Sequence, residues 1–262
     1  MIAVSGGELK VERLGAVTRF TFDRPHAMNS YSSELVDALN HALDEMAIDP
    51  DQRVLIVAGS GKAFCCGADL KYMAAIEGDV RAMASFLRRL NRFIDALDDL
   101  DKPVIAQVNG PALGGGLETM LACDIVVAAD TASIADPHIT IDAVHGAGGS
   151  QRLVRAVGLM RALDLALTAR PLTAAEAQAW GIVSRVVPAQ ELEQTTLALA
   201  QAIAARDALV TRDIKRLVRL SMSASRETGL ASEHHAFLDA AARPGFVSAM
   251  ARFANRKTGS VA

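Results

Sequence analysis

The chain has 262 residues, a formal net charge of −3, and a composition of 51% hydrophobic, 22% charged and only 4% aromatic residues. A chain of this length buries roughly 70–75% of its unfolded surface, so the composition excludes a disordered protein and calls for a core of Ala, Val, Leu and Ile. The slightly acidic balance excludes a surface dominated by neutralisation of nucleic-acid phosphates. The longest uncharged run, Pro103 to Leu117, is too short and too glycine-rich to cross a bilayer as a helix. Three cysteines, with Cys65 and Cys66 adjacent, form neither a disulfide framework nor a CxxC metal pair. Met1 to Glu8 lacks the basic start and apolar run of a signal peptide. A reducing, cytoplasmic location is the expectation.

Leu9–Arg13 and Ala16–Phe22 alternate around Gly15 and predict a hairpin. From Ser32 to Ile48, apolar residues at Leu35, Val36, Leu39, Leu43 and Met46 predict an amphipathic helix that Ser32 or Ser33 can cap. A buried strand over Arg53–Ala58, a long helix over Asp79–Leu100, a strand over Pro103–Val108, a short helix from Gly115 and a strand over Asp124–Ala129 complete a β/α alternation. Such alternation requires a mainly parallel sheet, with the turns after the strands 53–58 and 103–108 at one sheet edge. Beyond Gly148 helices dominate, with one further strand at Ile182–Val187, and a boundary is expected near residue 190. Leu209, Val210, Ile214, Leu217, Val218 and Leu220 recur at helical spacing, an apolar stripe that must be covered by the same chain or by another subunit.

Two glycine-rich turns carry the functional signal. The first, Gly59-Ser60-Gly61-Lys62-Ala63-Phe64-Cys65-Cys66-Gly67-Ala68-Asp69-Leu70, is neither a P-loop nor a dinucleotide fingerprint. The second, Asn109-Gly110-Pro111-Ala112-Leu113-Gly114-Gly115-Gly116-Leu117-Glu118, runs into an apolar helix. Its glycines bare a helix start whose unpaired N–H groups suit an oxygen that gains negative charge.

Both turns, in this order and at this separation, resemble the enoyl-CoA hydratase/isomerase family of the crotonase superfamily over essentially the whole chain. Arg24-Pro25-x-Ala27-x-Asn29-Ser30, Gly146-Ala147-Gly148-Gly149-Ser150-Gln151-Arg152-Leu153 and Ala179-x-Gly181-Ile182-Val183 add to the likeness. The resemblance implies an α/β fold, a crotonase-like spiral of ββα units over 1–190, with a helical C-terminal region over 191–262 for oligomerisation and CoA capping. It also implies homotrimers or dimers of trimers, acyl-CoA thioester ligands, and no cofactor beyond the CoA of the substrate. By position, the N–H groups of Ala68 and Gly115 would form an oxyanion hole. The backbones of Cys66, Ala68 and Leu70 would line the adenine site, Arg24 and Lys62 would lie near phosphates, and Phe253 with Arg256 or Lys257 would close over CoA.

Hydration of an enoyl thioester needs one group to activate water and another to serve the α-carbon, both beside the polarised carbonyl. Glu118, three residues past Gly115, matches the first glutamate of the hydratases. The position of the second holds Pro137-His138, so its carboxylate is missing. An imidazole can act as acid or base near neutrality, and Asp142, four residues on, could orient His138. The leading expectation is therefore a 2-enoyl-CoA hydratase or related isomerase. A specialised CoA isomerase, lyase or C–C hydrolase using His138 and Asp142 is one alternative, and a non-catalytic acyl-CoA-binding member is another. Asp136-Pro137-His138 resembles no zinc motif and no compact ligand cluster, so no metal is expected.

Overall fold

The computed structural model describes residues 4–5 and 7–254, with side chains over 7–251, in two compact units, Met1–Arg206 and Asp207–Ala262. In the first unit the alternating segment forms β2 (Leu9–Leu14) and β3 (Val17–Phe22), turning at Gly15 with φ 69°, and β1 (Val4–Ser5) pairs outside β2. A side chain rarely tolerates that left-handed φ, whereas glycine adopts it without a steric cost. The Ser32 hydroxyl accepts from Leu35 N–H at 3.0 Å and starts α1 (Ser33–Ile48), whose apolar stripe is buried.

There follow β4 (Val54–Gly59), α2 (Leu70–Ala75), α3 (Val80–Asp99) capped by Asp79, β5 (Val104–Val108), β6 (Ala112–Leu113), α4 (Gly115–Ala122), β7 (Ile125–Ala129) and β8 (Ser133–Ala135). The unit ends with α5 (Gly149–Val157), α6 (Leu159–Thr168), β9 (Leu172–Thr173), α7 (Ala174–Trp180), β10 (Arg185–Val187) and α8 (Leu192–Ala204).

The main sheet has the order β1-β2-β3-β4-β5-β7-β10 and is parallel from β3 onward. Alternation sends Leu55 and Val57 of β4 to one face, with Phe20, Leu35 and Phe93, and Val54 and Ile56 to the other, with Ile105, Val127, Leu192 and Ala200. Burial on both faces is what a parallel sheet requires. It also explains why α8 belongs to the first unit and the division falls at 206/207 rather than near 190: Leu192 and Ala200 cover the second face of the sheet.

A second sheet, β6-β8-β9, was not foreseen, because strands of two or three residues carry no readable period. Here β6 and β8 run parallel, Ala112 opposite Ile134 and Leu113 opposite Ala135. Isolated bridges join Cys65 to Ala112 and Tyr31 to Ala68. β5 and β7 thus each hand the chain from the large sheet to the small one, at β6 and β8, before the next helix, which is the expected spiral.

The second unit comprises α9 (Ala208–Leu220), capped by Asp207, α10 (Arg226–Ala241), capped by Ser225, and α11 (Pro244–Ala254). Leu209, Val210, Ile214 and Val218 of α9 remain exposed within the chain.

Candidate active site

Parallel strands leave a sheet at the same end, so the residues after β6 and β8 meet. Gly114 N–H donates to Ala135 C=O at 3.2 Å, and a Cβ on Gly114 would lie 3.6–3.7 Å from Cε1 and Nε2 of His138. The second glycine-rich turn and the Asp136-Pro137-His138 segment therefore form two walls of one site.

The first glycine-rich turn forms a third. Leu113 N–H donates to Cys65 C=O, Tyr31 N–H to Gly67 C=O, and Asp69 N–H to Tyr31 C=O. These bonds hold Gly67, φ 85°, so that a Cβ there would stand 3.1 Å from the nitrogen of Gly115. A side chain there would be crowded and would have to adopt a φ that L residues rarely take, so glycine suits the position. Between them, the N–H groups of Ala68 and Gly115 donate to no protein acceptor among the described residues. The buried Tyr31 ring packs under Gly115, and its hydroxyl donates to Thr119 Oγ1 at 2.6 Å, which in turn donates to Gly115 C=O at 2.9 Å.

Glu118, on the first turn of α4, is 2% exposed. Its Oε1 accepts from Ala147 N–H at 2.9 Å and Gly149 N–H at 2.8 Å. These donors belong to the Gly146–Gly149 segment, and Gly149 lacks a Cβ where one would strike His145 Cδ2 at 2.5 Å and Glu118 Oε1 at 2.9 Å. Oε2 has no partner among the described residues and reaches accessible surface, so the carboxylate is anchored through one oxygen and open at the other.

The partner of His138 is a correction to the sequence reading. Residues His138–Ile141 form a single 3₁₀ turn, and Asp142 ends it in a left-handed conformation, φ 52°, on the exposed side. The i,i+4 stacking of an α-helix does not apply to a 3₁₀ turn, and among the described residues the Asp142 carboxylate makes no hydrogen bond to the imidazole. The carboxylate beside the ring is that of Asp136: its Oδ1 lies 2.6 Å from His138 Nδ1, and its Oδ2 bonds His145 Nε2. The two imidazole centroids are 4.9 Å apart. Burial pushes the Asp136 carboxyl up, but the hydrogen bonds from His138 and His145 outweigh it and hold the group well below the usual carboxylate range. His145 is raised by its hydrogen bond to Asp136, against burial, with further attraction from Asp136 and Glu118.

The donor atoms of Asp136, His138 and His145 lie within 4.8 Å of one another, a compact trio where the sequence suggested none. The two carboxylate–imidazole contacts are shorter than the ~3.3 Å that separates tetrahedral ligands at ~2.0 Å from one ion, so as arranged the trio is joined by protons. Asp136 was missed because, in sequence, it is only the residue before a proline. The one available signal was a carboxylate directly after a buried strand.

Arg24 is 7% exposed and bonds Glu8 at 2.5 Å, Asp69 at 2.8 Å and Ser30 C=O at 2.5 Å. It thus pins the first hairpin to the first turn, and its charge is balanced within the chain. Lys62 and Leu70 are exposed and Cys66 is half-buried. The Phe253 side chain and Arg256 lie outside the described residues.

The family model described as enoyl-CoA hydratase/isomerase matches residues 12–260. A Mycobacterium tuberculosis protein named "Probable enoyl-CoA hydratase echA8" is 39% identical over 94% of this chain and 95% of its own length. The 2,3-dehydroadipyl-CoA hydratase of Escherichia coli is 36% identical over 96% of this chain and 97% of its own. The crystal structure of enoyl-CoA hydratase from Bacillus anthracis superposes with a TM-score of 0.91 at 32% identity, covering 97% of this chain and 98% of that one. The site geometry and a likeness that spans the chain agree: this protein belongs to the enoyl-CoA hydratase/isomerase family of enzymes.

Proposed function

We propose that this enzyme adds water across the C2=C3 bond of a 2-enoyl-CoA thioester. The thioester carbonyl accepts hydrogen bonds from Ala68 and Gly115 N–H, and one water lies between Glu118 Oε2 and His138 Nε2. As the water oxygen bonds to C3, one of its protons passes to Glu118 and the C2=C3 electron pair moves onto the carbonyl oxygen, giving an enolate. The enolate collapses, C2 takes that proton back from Glu118, and both enzyme groups end as they began. Enolate charge at two fixed N–H groups is the main stabilisation, while Glu118 supplies the proton transfer.

The observation that carries this reading is the convergence of the unpartnered Ala68 and Gly115 N–H groups, the anchored Glu118 carboxylate and the His138 ring edge around Gly114–Gly115. For the CoA moiety, the backbones of Cys66, Ala68 and Leu70 are the proposed adenine contacts. Lys62, exposed where Arg24 is internally paired, is the proposed phosphate cation. Self-association into trimers or paired trimers would cover the apolar face of α9. A reducing cytoplasm suits three free cysteines, with the buried Cys65 thiol pushed up to about 12.

The test is the loss of conjugated enoyl-thioester absorbance with crotonyl-CoA and a longer 2-enoyl-CoA. Turnover by the parent protein is expected, with kcat lower by about tenfold in His138→Ala, where the water loses one hydrogen-bond acceptor. A parent protein that leaves both substrates unchanged overturns the hydration reading, and an unaffected His138→Ala removes the histidine from it.

A further inference from the structure

Asp136 is 1% exposed, and both of its oxygens are occupied by imidazole nitrogens, Oδ1 by His138 Nδ1 at 2.6 Å and Oδ2 by His145 Nε2. A carboxylate only accepts hydrogen bonds, so each nitrogen facing it carries a proton. In the neutral ring a proton at Nδ1 of His138 leaves Nε2 with a lone pair, and that edge of the ring faces Gly114, one residue from the Gly115 N–H. Were Nε2 protonated instead, it would present a donor to the position where the attacking water needs an acceptor.

We propose that Asp136 and His145 are positioning residues: Asp136 holds His138 in the Nδ1–H tautomer with Nε2 turned to the oxyanion turn as an acceptor, and His145, as imidazolium, balances the buried carboxylate. The charge argument follows from what surrounds the trio. Glu118 faces it from α4 across the α-carbon of Gly149, so a lone Asp136 anion would add a second negative charge to a nearly closed site. Arg152 on α5, which donates to Ala147 C=O beside Glu118, pairs with Asp95 and Asp98 of α3. Its charge is therefore already matched, and His145, bonded directly to Asp136 Oδ2, is placed to offset that carboxylate. The same arrangement explains how a histidine stands in for a second carboxylate. The trio adds no net charge, and the site keeps one anionic acceptor at Glu118 and one neutral acceptor at His138.

The functional consequence rests on the hydration reading; the tautomer does not. The experiment is magic-angle-spinning 15N spectroscopy of [15N]histidine-labelled protein near neutral pH. It has six histidines to resolve, with His138→Gln and His145→Gln as assignment variants. In the parent, His138 should show a protonated Nδ1 and a bare Nε2, and His145 two protonated nitrogens. In Asp136→Asn the amide can accept from one ring only, so the His138 pattern or the His145 charge should be lost. The same variant should lower kcat on 2-enoyl-CoA by about tenfold, because a mis-set tautomer removes the acceptor for the attacking water, while KM should stay near the parent value. If Asp136→Asn does not fold, His145→Gln gives an independent reading. Its amide still donates to Asp136 without a charge, and His138 should then take up a second proton.

A protonated Nε2 on His138 in the parent overturns the proposal, as does an unchanged pair of histidine signals in Asp136→Asn. An unchanged His138 in His145→Gln overturns the charge balance. A parent protein with the expected tautomer and no hydration of 2-enoyl-CoA would support the positioning roles while removing the proposed reaction.

Discussion

Substituting Glu118 by glutamine and by alanine should separate its two tasks. In Glu118→Gln, the amide oxygen can keep both bonds that Oε1 accepts, from Ala147 N–H at 2.9 Å and Gly149 N–H at 2.8 Å, while the NH₂ group replaces the oxygen open to the pocket. Neutral acceptors are weaker than charged ones, so a loss of about 1–2 kcal/mol in stability is expected. In Glu118→Ala, both N–H groups lose their acceptor at a residue that is 2% exposed. Each buried donor left unpaired costs about 1–3 kcal/mol, hence about 2–6 kcal/mol together. At ~2–4 °C per kcal/mol for a chain of this size, Tm should fall by about 4–24 °C. Both variants lose the proton carrier and should drop kcat by on the order of 10²–10⁴. The assays are thermal melting followed by circular dichroism and initial rates on crotonyl-CoA. Parental Tm in Glu118→Ala would refute the anchoring argument, and parental kcat in Glu118→Gln would refute the proton-transfer role.

Arg24→Met should leave the Glu8 and Asp69 carboxylates facing each other without their cation. Its cost should approach the ~3–5 kcal/mol of a broken buried pair, while KM for the thioester stays unchanged in the folded fraction; a raised KM at parental Tm would instead return Arg24 to the phosphates. The Asp136 cluster should also shape stability against pH. The depressed Asp136 contributes stability above the unfolded carboxylate value of ~3.9, lost as pH falls through its lower folded value. The raised His145 contributes below the unfolded imidazole value of ~6.5, lost as pH rises through its higher folded value. Urea midpoints across pH should therefore fall away on both limbs in the parent and flatten in Asp136→Asn; parallel curves would contradict the coupling.

The long elements were legible because each carries its own period. Leu35, Val36, Leu39, Leu43 and Met46 mark a helix face, and Leu55 and Val57 against Val54 and Ile56 mark the two faces of a buried strand. Glycine turns were legible for a related reason: a Cβ on Gly67, at φ 85°, would crowd the nitrogen of Gly115, and one on Gly149 would strike Glu118 and His145. Such constraints are local and act through the residue's own chemistry, so the sequence by itself determined the parallel core, the helix start at Gly115 and the position of Glu118. The partner of His138 was a different kind of question. Spacing favoured Asp142, because an i,i+4 rule presumes a helix, but the chain there makes one 3₁₀ turn and directs Asp142 outward. Asp136 reaches both histidines because the chain turns directly after β8 and the loop to Gly149 returns His145 to the same point, while the parallel pairing of β6 and β8 sets the group beside Gly114. Two-residue strands leave no pattern in a sequence, and a carboxylate shared by residues two and nine positions away is set by where the backbone turns, which only the tertiary structure decides.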